Sequence, residues 1–424
     1  MTRSEPRFGC LEDWLAWQQT LHPRKIDLGL GRVRRVFERL SPAYRPPPTV
    51  TVAGTNGKGS CVALLDAMLR AAGYRVGAYT SPHLLRYNER IRIDGVPVAD
   101  EDICAAFDRI DRARDGVSLS FFEFATLAAL DLFQRAGVEV QLLEVGLGGR
   151  LDAVNMIDAD VAVVTSIDID HKEWLGEDRE AIGFEKAGVL RPGRPAIVGD
   201  RRPPASLLRH GEKLGARLFC LGKDFDYRRH GDTWAWRDAD SRLEDLPLPA
   251  LPGRQQLDNA AVAIAALRKF ALPLTVDAIR AGLRQVHLPG RYQLIDGRPP
   301  LLLDVAHNPQ AVRLLADYLV QRFPGRRILA LFAAMADKDI EGMIRQMKDR
   351  VALWALAPLP GNPRAASLER LHRAFAAEGL EPPLSSFTDC HQALAALRRQ
   401  ARPDDVIVIF GSFFLAAEIL ASDG

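Results

Sequence analysis

Cysteine is scarce in this chain, and its placement excludes two kinds of cross-linked fold. Cys10, Cys61, Cys104, Cys220 and Cys390 are widely scattered, odd in number and form no C-x-x-C pair, so neither a disulfide framework nor a zinc cluster suits them. They read as reduced, mostly buried thiols. Long apolar runs are also missing. The longest, residues 406–420, is broken by Gly411-Ser412 and carries Glu418, short of the roughly 20 apolar residues a membrane span needs; a buried strand leading into a helix accounts for it. The amino-terminal Met1-Thr2-Arg3-Ser4-Glu5-Pro6-Arg7 meets a Trp-containing helical pattern and lacks the apolar core of an export signal. No charge sign is in excess: 56 Lys and Arg against 54 Asp and Glu give a net charge of +2, which argues against a nucleic-acid partner. Internal repeats and low-complexity tracts are lacking too. A cytoplasmic chain is expected, monomeric because no helix pattern carries surplus apolar surface. Its 424 residues suggest two domains under a prior of about 150 residues each.

What is present begins with Gly54-Thr55-Asn56-Gly57-Lys58-Gly59-Ser60. It follows the β-branched run Pro48-Thr49-Val50-Thr51-Val52-Ala53 and precedes Leu65, Met68, Leu69 and Ala72 at helical spacing, with Gly73 as a left-handed cap. Strand, glycine loop and helix together suit a triphosphate: glycines turn N–H groups inward, the helix start adds partial positive charge, Lys58 adds a full one, and Ser60 can hold Mg²⁺. The general pattern has four residues between its glycines and Ser or Thr directly after Lys; here two residues separate Gly54 from Gly57, and Gly59 intervenes before Ser60. The alternative is a plain glycine turn, which would not require a lysine at the helix mouth.

Near-continuous apolar runs at residues 76–79, 140–145, 161–167 and 196–198, alternating with helical patterns, predict an α/β fold with a doubly wound parallel sheet. Ligands of such sheets bind beyond the carboxyl ends of the strands. Pro and Gly gather over residues 289–300, which reads as a linker or hinge dividing a P-loop domain, 1–288, from a smaller Rossmann-like domain, 301–424. In the latter, residues 301–305, 328–332, 353–357 and 406–410 read as strands, and Asn308-Pro309 as the cap and first residue of a helix with Val312, Leu315 and Leu319 on one face.

Candidate chemistry sits at these strand ends. Glu144 closes an apolar run, where P-loop enzymes keep an acid for Mg²⁺, although a capping or ion-paired glutamate would occupy the same place. Gly146-Leu147-Gly148-Gly149 imitates a dinucleotide fingerprint, but Leu151 stands where its third glycine belongs, and NAD binding is excluded there. Asp168, Asp170 and His171 follow another run and are either a second metal shell or a structural histidine beside two acids. Lys186 reads as an ordinary paired lysine. Asp304 and His307 top the first strand of the second domain, and a closing domain would bring them to the nucleotide; a helix-start acid and a surface histidine is the other reading. Asn259 and Arg291 flank the linker with similar standing.

In this order the segments resemble the folylpolyglutamate synthase/dihydrofolate synthase family, within the wider group of Mur-type ADP-forming amide ligases. The resemblance spans nearly the whole chain. It is carried by Ile26-Asp27-Leu28-Gly29-Leu30, the 54–60 loop, Ser81-Pro82-His83-Leu84, Asn88-Glu89-Arg90, Glu144 through Asp152, Glu185-Lys186-Ala187-Gly188, Pro289-Gly290-Arg291 and Asp304-Val305-Ala306-His307-Asn308-Pro309. It implies that Thr55, Asn56, Gly57, Lys58, Gly59 and Ser60 hold the ATP phosphates, with Asn259, Arg291 and Asp304 completing the ATP site. Ser81, Glu144 and His171 would ligate Mg²⁺, and Lys186 matches a lysine carboxylated by CO₂. Asp27, Leu28, Gly29 and Leu30, with Ser120, Phe121, Phe122 and Glu123 and with Leu151, Asp152 and Ala153, match segments around the pterin substrate. Phe121 or Phe122 would stack on the pterin ring or belong to the core. His307 is the candidate for handling the incoming amine or the phosphate. The implied reaction joins L-glutamate to dihydropteroate and to reduced folates through an acyl phosphate. A single-activity folylpolyglutamate synthase, a Mur-type peptidoglycan precursor ligase and a nucleotide-dependent switch are the competing readings.

Overall fold

The computed structural model describes residues 5–24, 26–270, 272–381 and 383–422. The start of the amino-terminal segment considered above, residues 1–4, lies outside the described residues, as do residues 423–424 at the end of the second domain. Two compact units are formed, Met1–Ala250 with Gln256–Val286, and Leu251–Gln255 with His287–Gly424.

The first unit is built on an eight-stranded sheet: β1 Thr49–Ala53, β2 Val76–Tyr79, β3 Ile91–Ile93, β4 Val96–Pro97, β5 Val140–Glu144, β6 Val161–Val164, β7 Pro195–Val198 and β8 Arg217–Cys220. Its order is β4-β3-β2-β5-β1-β6-β7-β8. Strands β2, β5, β1, β6, β7 and β8 run parallel, while β3 and β4 add an antiparallel edge. Every residue of β1, β2, β5, β6 and β7 is buried, as expected where both faces are covered. The chain leaves β1 toward β2 on one side and later lays β6 on the other, so strand order reverses around β1, where such sheets bind ligands.

Helix starts follow their sequence signals. Helix Lys58–Ala71 opens after Gly57 at φ 91°, a left-handed position that a side chain would strain, and Gly73 lies at φ 89° beyond its end. Helix Phe121–Ala136 opens on a capping box in which Ser120 Oγ accepts from Glu123 N and Glu123 Oε2 accepts from Ser120 N, closing at Gly137 with φ 62°. The sequence did not announce β9 Phe225–His230, β10 Thr233–Asp238 and β11 Arg242–Pro247. They form an antiparallel sheet that buries Trp234 and Trp236, whose indole N–H groups donate to Pro247 O and Ala261 O.

The second unit carries β12 Gln293–Ile295, β13 Leu301–Leu303, β14 Ile328–Phe332, β15 Val351–Leu356 and β16 Val406–Phe410, in the order β12-β13-β16-β14-β15. The Pro- and Gly-rich stretch 289–300 is therefore more than a connection: β12 lies in it and pairs antiparallel with β13. An edge strand tolerates flanking Pro and Gly because one of its sides needs no ladder partner. Asn308 Oδ1 accepts from Ala311 N with Pro309 in the first turn, and helix Pro309–Arg322 buries Val312, Leu315 and Leu319. Phe332, Trp354, Phe375 and Phe410 meet in this unit's core at centroid separations of 5.0–6.4 Å.

Helix Val276–Gln285 packs on the loop-bearing helix Lys58–Ala71 through Gly282, where an added Cβ would stand 2.6 Å from Met68 Cα and N. Those are backbone atoms that cannot rotate away. Gly282→Ala is expected to destabilise the first unit by about 1–3 kcal/mol, the usual cost of overpacking, read as a lower urea midpoint; an unchanged midpoint would mean that the two helices are free to separate.

Candidate active site

The loop after β1 is fixed by the strand beside it. Gly54 has φ 145°, and a Cβ there would fall 1.8 Å from Thr165 Oγ1, so a side chain is excluded. Thr165 Oγ1 donates to Ala53 O at 3.2 Å and Asn56 O at 2.8 Å. Thr55 N donates to Ser166 O at 2.7 Å, and Thr55 Oγ1 both donates to Asp168 O and accepts from Asp168 N. Lys58 Nζ folds back onto Gly54 O and Thr55 O, 3.1 Å from each. Asn259 packs on the loop from helix Arg254–Lys269: a Cβ on Gly57 would lie 2.5 Å from Asn259 Oδ1, and Asn259 Nδ2 donates to Gln256 Oε1.

Lys186, near the end of helix Arg179–Ala187, is buried, and its Nζ donates to the same Gly54 carbonyl at 2.9 Å. Burial first and the Lys58 charge second push its pKa down to about 7, with Asp170 and Asp152 pulling the other way. Near neutral pH a large share of this amine is uncharged and nucleophilic. Asp152 is buried too. Its Oδ2 accepts from Gly146 N and Leu147 N and its Oδ1 from Val154 N, while burial pushes its carboxyl up to about 7 against those N–H groups and Lys58. The glycine run after β5 thus spends these two donors on a carboxyl group of its own loop.

Glu144 is buried at the end of β5 and accepts from Ser81 N at 3.1 Å, joining the carboxyl ends of β5 and β2. Its charge also helps hold the buried Cys61 thiol protonated, though burial is the larger cause. Downstream of Ser81, the Glu89 carboxylate accepts from Leu84, Leu85 and Arg86 N, and Arg90 Nε donates to His83 Nδ1, so these motif residues shape the loop after β2. His171 follows β6 at φ 52°, with its N–H on Asp170 Oδ1. Ser81, Glu144 and His171 thus lie after β2, at the end of β5 and after β6, along one edge of the sheet, and carboxylate, hydroxyl and imidazole are donor types that a divalent cation accepts.

The three segments matched to the acceptor come together in the first unit. Gly29 N donates to Leu151 O at 3.2 Å, and a Cβ on Gly146 would lie 2.6 Å from the Phe122 ring. Phe121 sits edge-on to Tyr87 with the Arg90 guanidinium 5.5 Å from its ring centre. Sequence reasoning missed His22, Arg32, Thr165 and Ser166; Arg32 stands just beyond the 26–30 motif, and that adjacency was its one signal.

In the second unit Asp304 is buried, accepting from Tyr292 N and Ala306 N. Burial raises its pKa against the opposing pull of Arg291, those N–H groups and His307. His307 Nδ1 lies 2.9 Å from Val305 O, so a neutral ring keeps its proton on Nδ1 and its lone pair on Nε2. Arg291 and His307 both approach the Phe413 ring, at 5.2 Å and 5.5 Å. The structure thus gathers Arg291, Asp304 and His307 at the carboxyl end of β13.

The glutamate ligase domain model of the Mur ligases matches residues 290–413. The dihydrofolate synthase/folylpolyglutamate synthase of Escherichia coli K12 is 44% identical over 410 residues, covering 97% of this chain and 94% of that protein. The chain belongs to this family. Among solved structures, E. coli FolC in complex with DHPP and ADP superposes with a TM-score of 0.93 at 42% identity, covering 99% of both chains. A bifunctional folylpolyglutamate synthase/dihydrofolate synthase with Mn, AMPPNP and L-glutamate bound gives 0.91 at 43% identity, again covering 99% of both. The family fold, two mixed α/β units with a Mur-type second one, agrees with the sequence reading. No helix among the described residues is long and apolar enough to cross a membrane.

If Lys186 titrates near 7 in the folded chain and near 10.4 when unfolded, the unfolded state binds the extra proton between those values. Stability then rises with pH across that window, by at most about 1.4 kcal/mol per pH unit, and below it the full cost of burying the ammonium is felt. Lys186→Met should flatten this rise in urea titrations at pH 7, 8 and 9 in CO₂-free buffer; parallel curves for the two proteins would show that Lys186 keeps its ordinary pKa.

Proposed function

We propose that this chain is an ATP-dependent ligase that joins L-glutamate to dihydropteroate and to the glutamate tail of reduced folates, releasing ADP and phosphate. The full-length likeness to a bifunctional enzyme of 44% identity carries this reading, supported by the loop geometry at β1. The acceptor's carboxylate attacks the γ-phosphorus of ATP, and the bond to the β,γ-bridging oxygen breaks, giving an acyl phosphate and ADP. The amino group of L-glutamate then attacks the acyl carbon, loses a proton, and expels phosphate to leave an amide. Lys58 and the amino end of helix Lys58–Ala71 stabilise charge on the transferring group. Thr55, Asn56, Gly57, Gly59 and Ser60 wrap the phosphates, and Asn259 braces Gly57.

Ser81, Glu144 and His171 would hold Mg²⁺, which when bound neutralises phosphate charge and orients the transfer. Lys186 is assigned as a carboxylated lysine: its neutral amine attacks CO₂, forming an N–C bond and releasing a proton, which turns a buried cation into an anion. The lowered pKa of this amine favours that chemistry. In the second unit, Arg291 and Asp304 are assigned to ATP and His307 to the incoming amine or the phosphate. The acceptor's pterin is assigned to Asp27, Leu28, Gly29, Leu30, Ser120, Phe121, Phe122, Glu123, Leu151, Asp152 and Ala153. Five cysteines without a disulfide suit a reducing cytoplasm, and a monomer is assigned.

Phosphate release with Mg-ATP and L-glutamate should depend on added dihydropteroate or tetrahydrofolate, each product gaining the mass of one glutamate. A gain with one acceptor alone reduces the enzyme to a single activity, and release without acceptor favours a nucleotide switch. Lys58→Ala should lower turnover by at least about 10²-fold, the scale of losing a charge aimed at the transition state, while leaving the unfolding midpoint unchanged; near-normal turnover would remove Lys58 from the phosphate site. Lys186→Ala should regain part of its activity when a short carboxylic acid is supplied. An intact mass showing fully active, unmodified enzyme would refute carboxylation.

A further inference from the structure

Three segments are assigned to the acceptor, in the loop 26–30, at the start of helix Phe121–Ala136, and at Leu151-Asp152-Ala153, whose Asp152 is tied to Gly146 N. Gly29 N to Leu151 O joins the first segment to the third, and Phe122 packed on Gly146 joins the second to the third. The remaining joint, first to second, is made by Arg32. Its Nη1 donates to Asp27 Oδ2 at 2.7 Å, and its Nη2 donates to Asp27 O at 2.8 Å and Glu123 Oε1 at 3.2 Å. Glu123 is the residue whose other oxygen caps Ser120 N, so the guanidinium reaches the helix start through the capping box. Asp27 Oδ2 also lies 3.0 Å from His22 Nε2, and His22 Nδ1 lies 3.0 Å from Ser118 Oγ, a second route to the same helix start.

We propose that Arg32 is a positioning residue for the pterin-bearing acceptor, holding Asp27 and Glu123 so that the loop 26–30 and the Phe121-Phe122 pair face the acceptor at a fixed separation. This rests on the ligase reading above. Two features support it. Glu123 is buried, and a buried carboxylate deprived of its cation is costly, so the joint is made strongly or not at all. Arg32 also divides its two Nη groups between partners on two segments, Asp27 and Glu123. A guanidinium can fork across two acceptors in this way; an ammonium is a point charge and cannot.

The test measures KM for dihydropteroate, tetrahydrofolate, ATP and L-glutamate in wild type, Arg32→Ala, Arg32→Lys and Glu123→Gln. Arg32→Ala should raise KM for both acceptors on the order of tenfold or more, as expected for losing charge-assisted bonds, while KM for ATP stays within about twofold. Arg32→Lys should fall between, and Glu123→Gln should shift the same two constants even if Arg32→Ala does not fold. Acceptor and ATP constants rising together, or acceptor constants unchanged in Arg32→Ala or in Glu123→Gln, would overturn the proposal while leaving the ligase reading intact. A wild type that adds glutamate to neither acceptor would overturn both.

Discussion

The carboxyl edge of the large sheet depends on one carbonyl, that of Gly54. Two lysines converge on it, Lys58 from the helix that follows and Lys186 from a helix more than a hundred residues on. The oxygen is offered to both because the backbone turns at φ 145°, a conformation that Thr165 keeps sterically closed to any side chain. A glycine here lets the protein gather two nitrogen donors at a single neutral acceptor, and burial, with the neighbouring Lys58 charge adding to it, lowers the proton affinity of Lys186.

That crowding sets the electrostatics around it. Lys186 loses proton affinity and Asp152 gains it, each mainly because water is kept out. Both end near neutrality, where a small change in surroundings redistributes protons. Glu144, by contrast, is tied to the backbone of Ser81, which fixes where its charge can act. The edge thus carries two buried groups with shifted proton affinity and a carboxyl group held in place by a backbone N–H.

Local signals in the sequence carried much of this. The β-branched run before Gly54, the Asn308-Pro309 helix start and the apolar stretches 328–332 and 406–410 were legible because strand and cap chemistry act over a few residues. The β9–β11 sheet was not, since its strands are heavily charged and its two tryptophans are buried by neighbours the sequence cannot name. β12 was hidden by the Pro and Gly around it. Among candidate site residues, the positions of the glycine loop and of Glu144 at strand ends were legible, though position alone left the role of Glu144 open, whereas Lys186 looked like any helical lysine until its burial was seen. Thr165 escaped because its partners lie over a hundred residues back, and Arg32 because only one of its two carboxylate partners, Glu123, is distant, which hid that it joins two segments.

The carboxylate of Asp152 gives the loop after β5 an internal counter-ion. Two glycine loops open at one sheet edge, and each would by composition attract an anion. One already has a carboxyl group of its own chain on two of its N–H donors, covalently supplied and therefore always at hand. The 54–60 loop has no acidic residue of its own, so of the two glycine loops only the one after β5 has its N–H groups taken up by a carboxyl group from within the same loop.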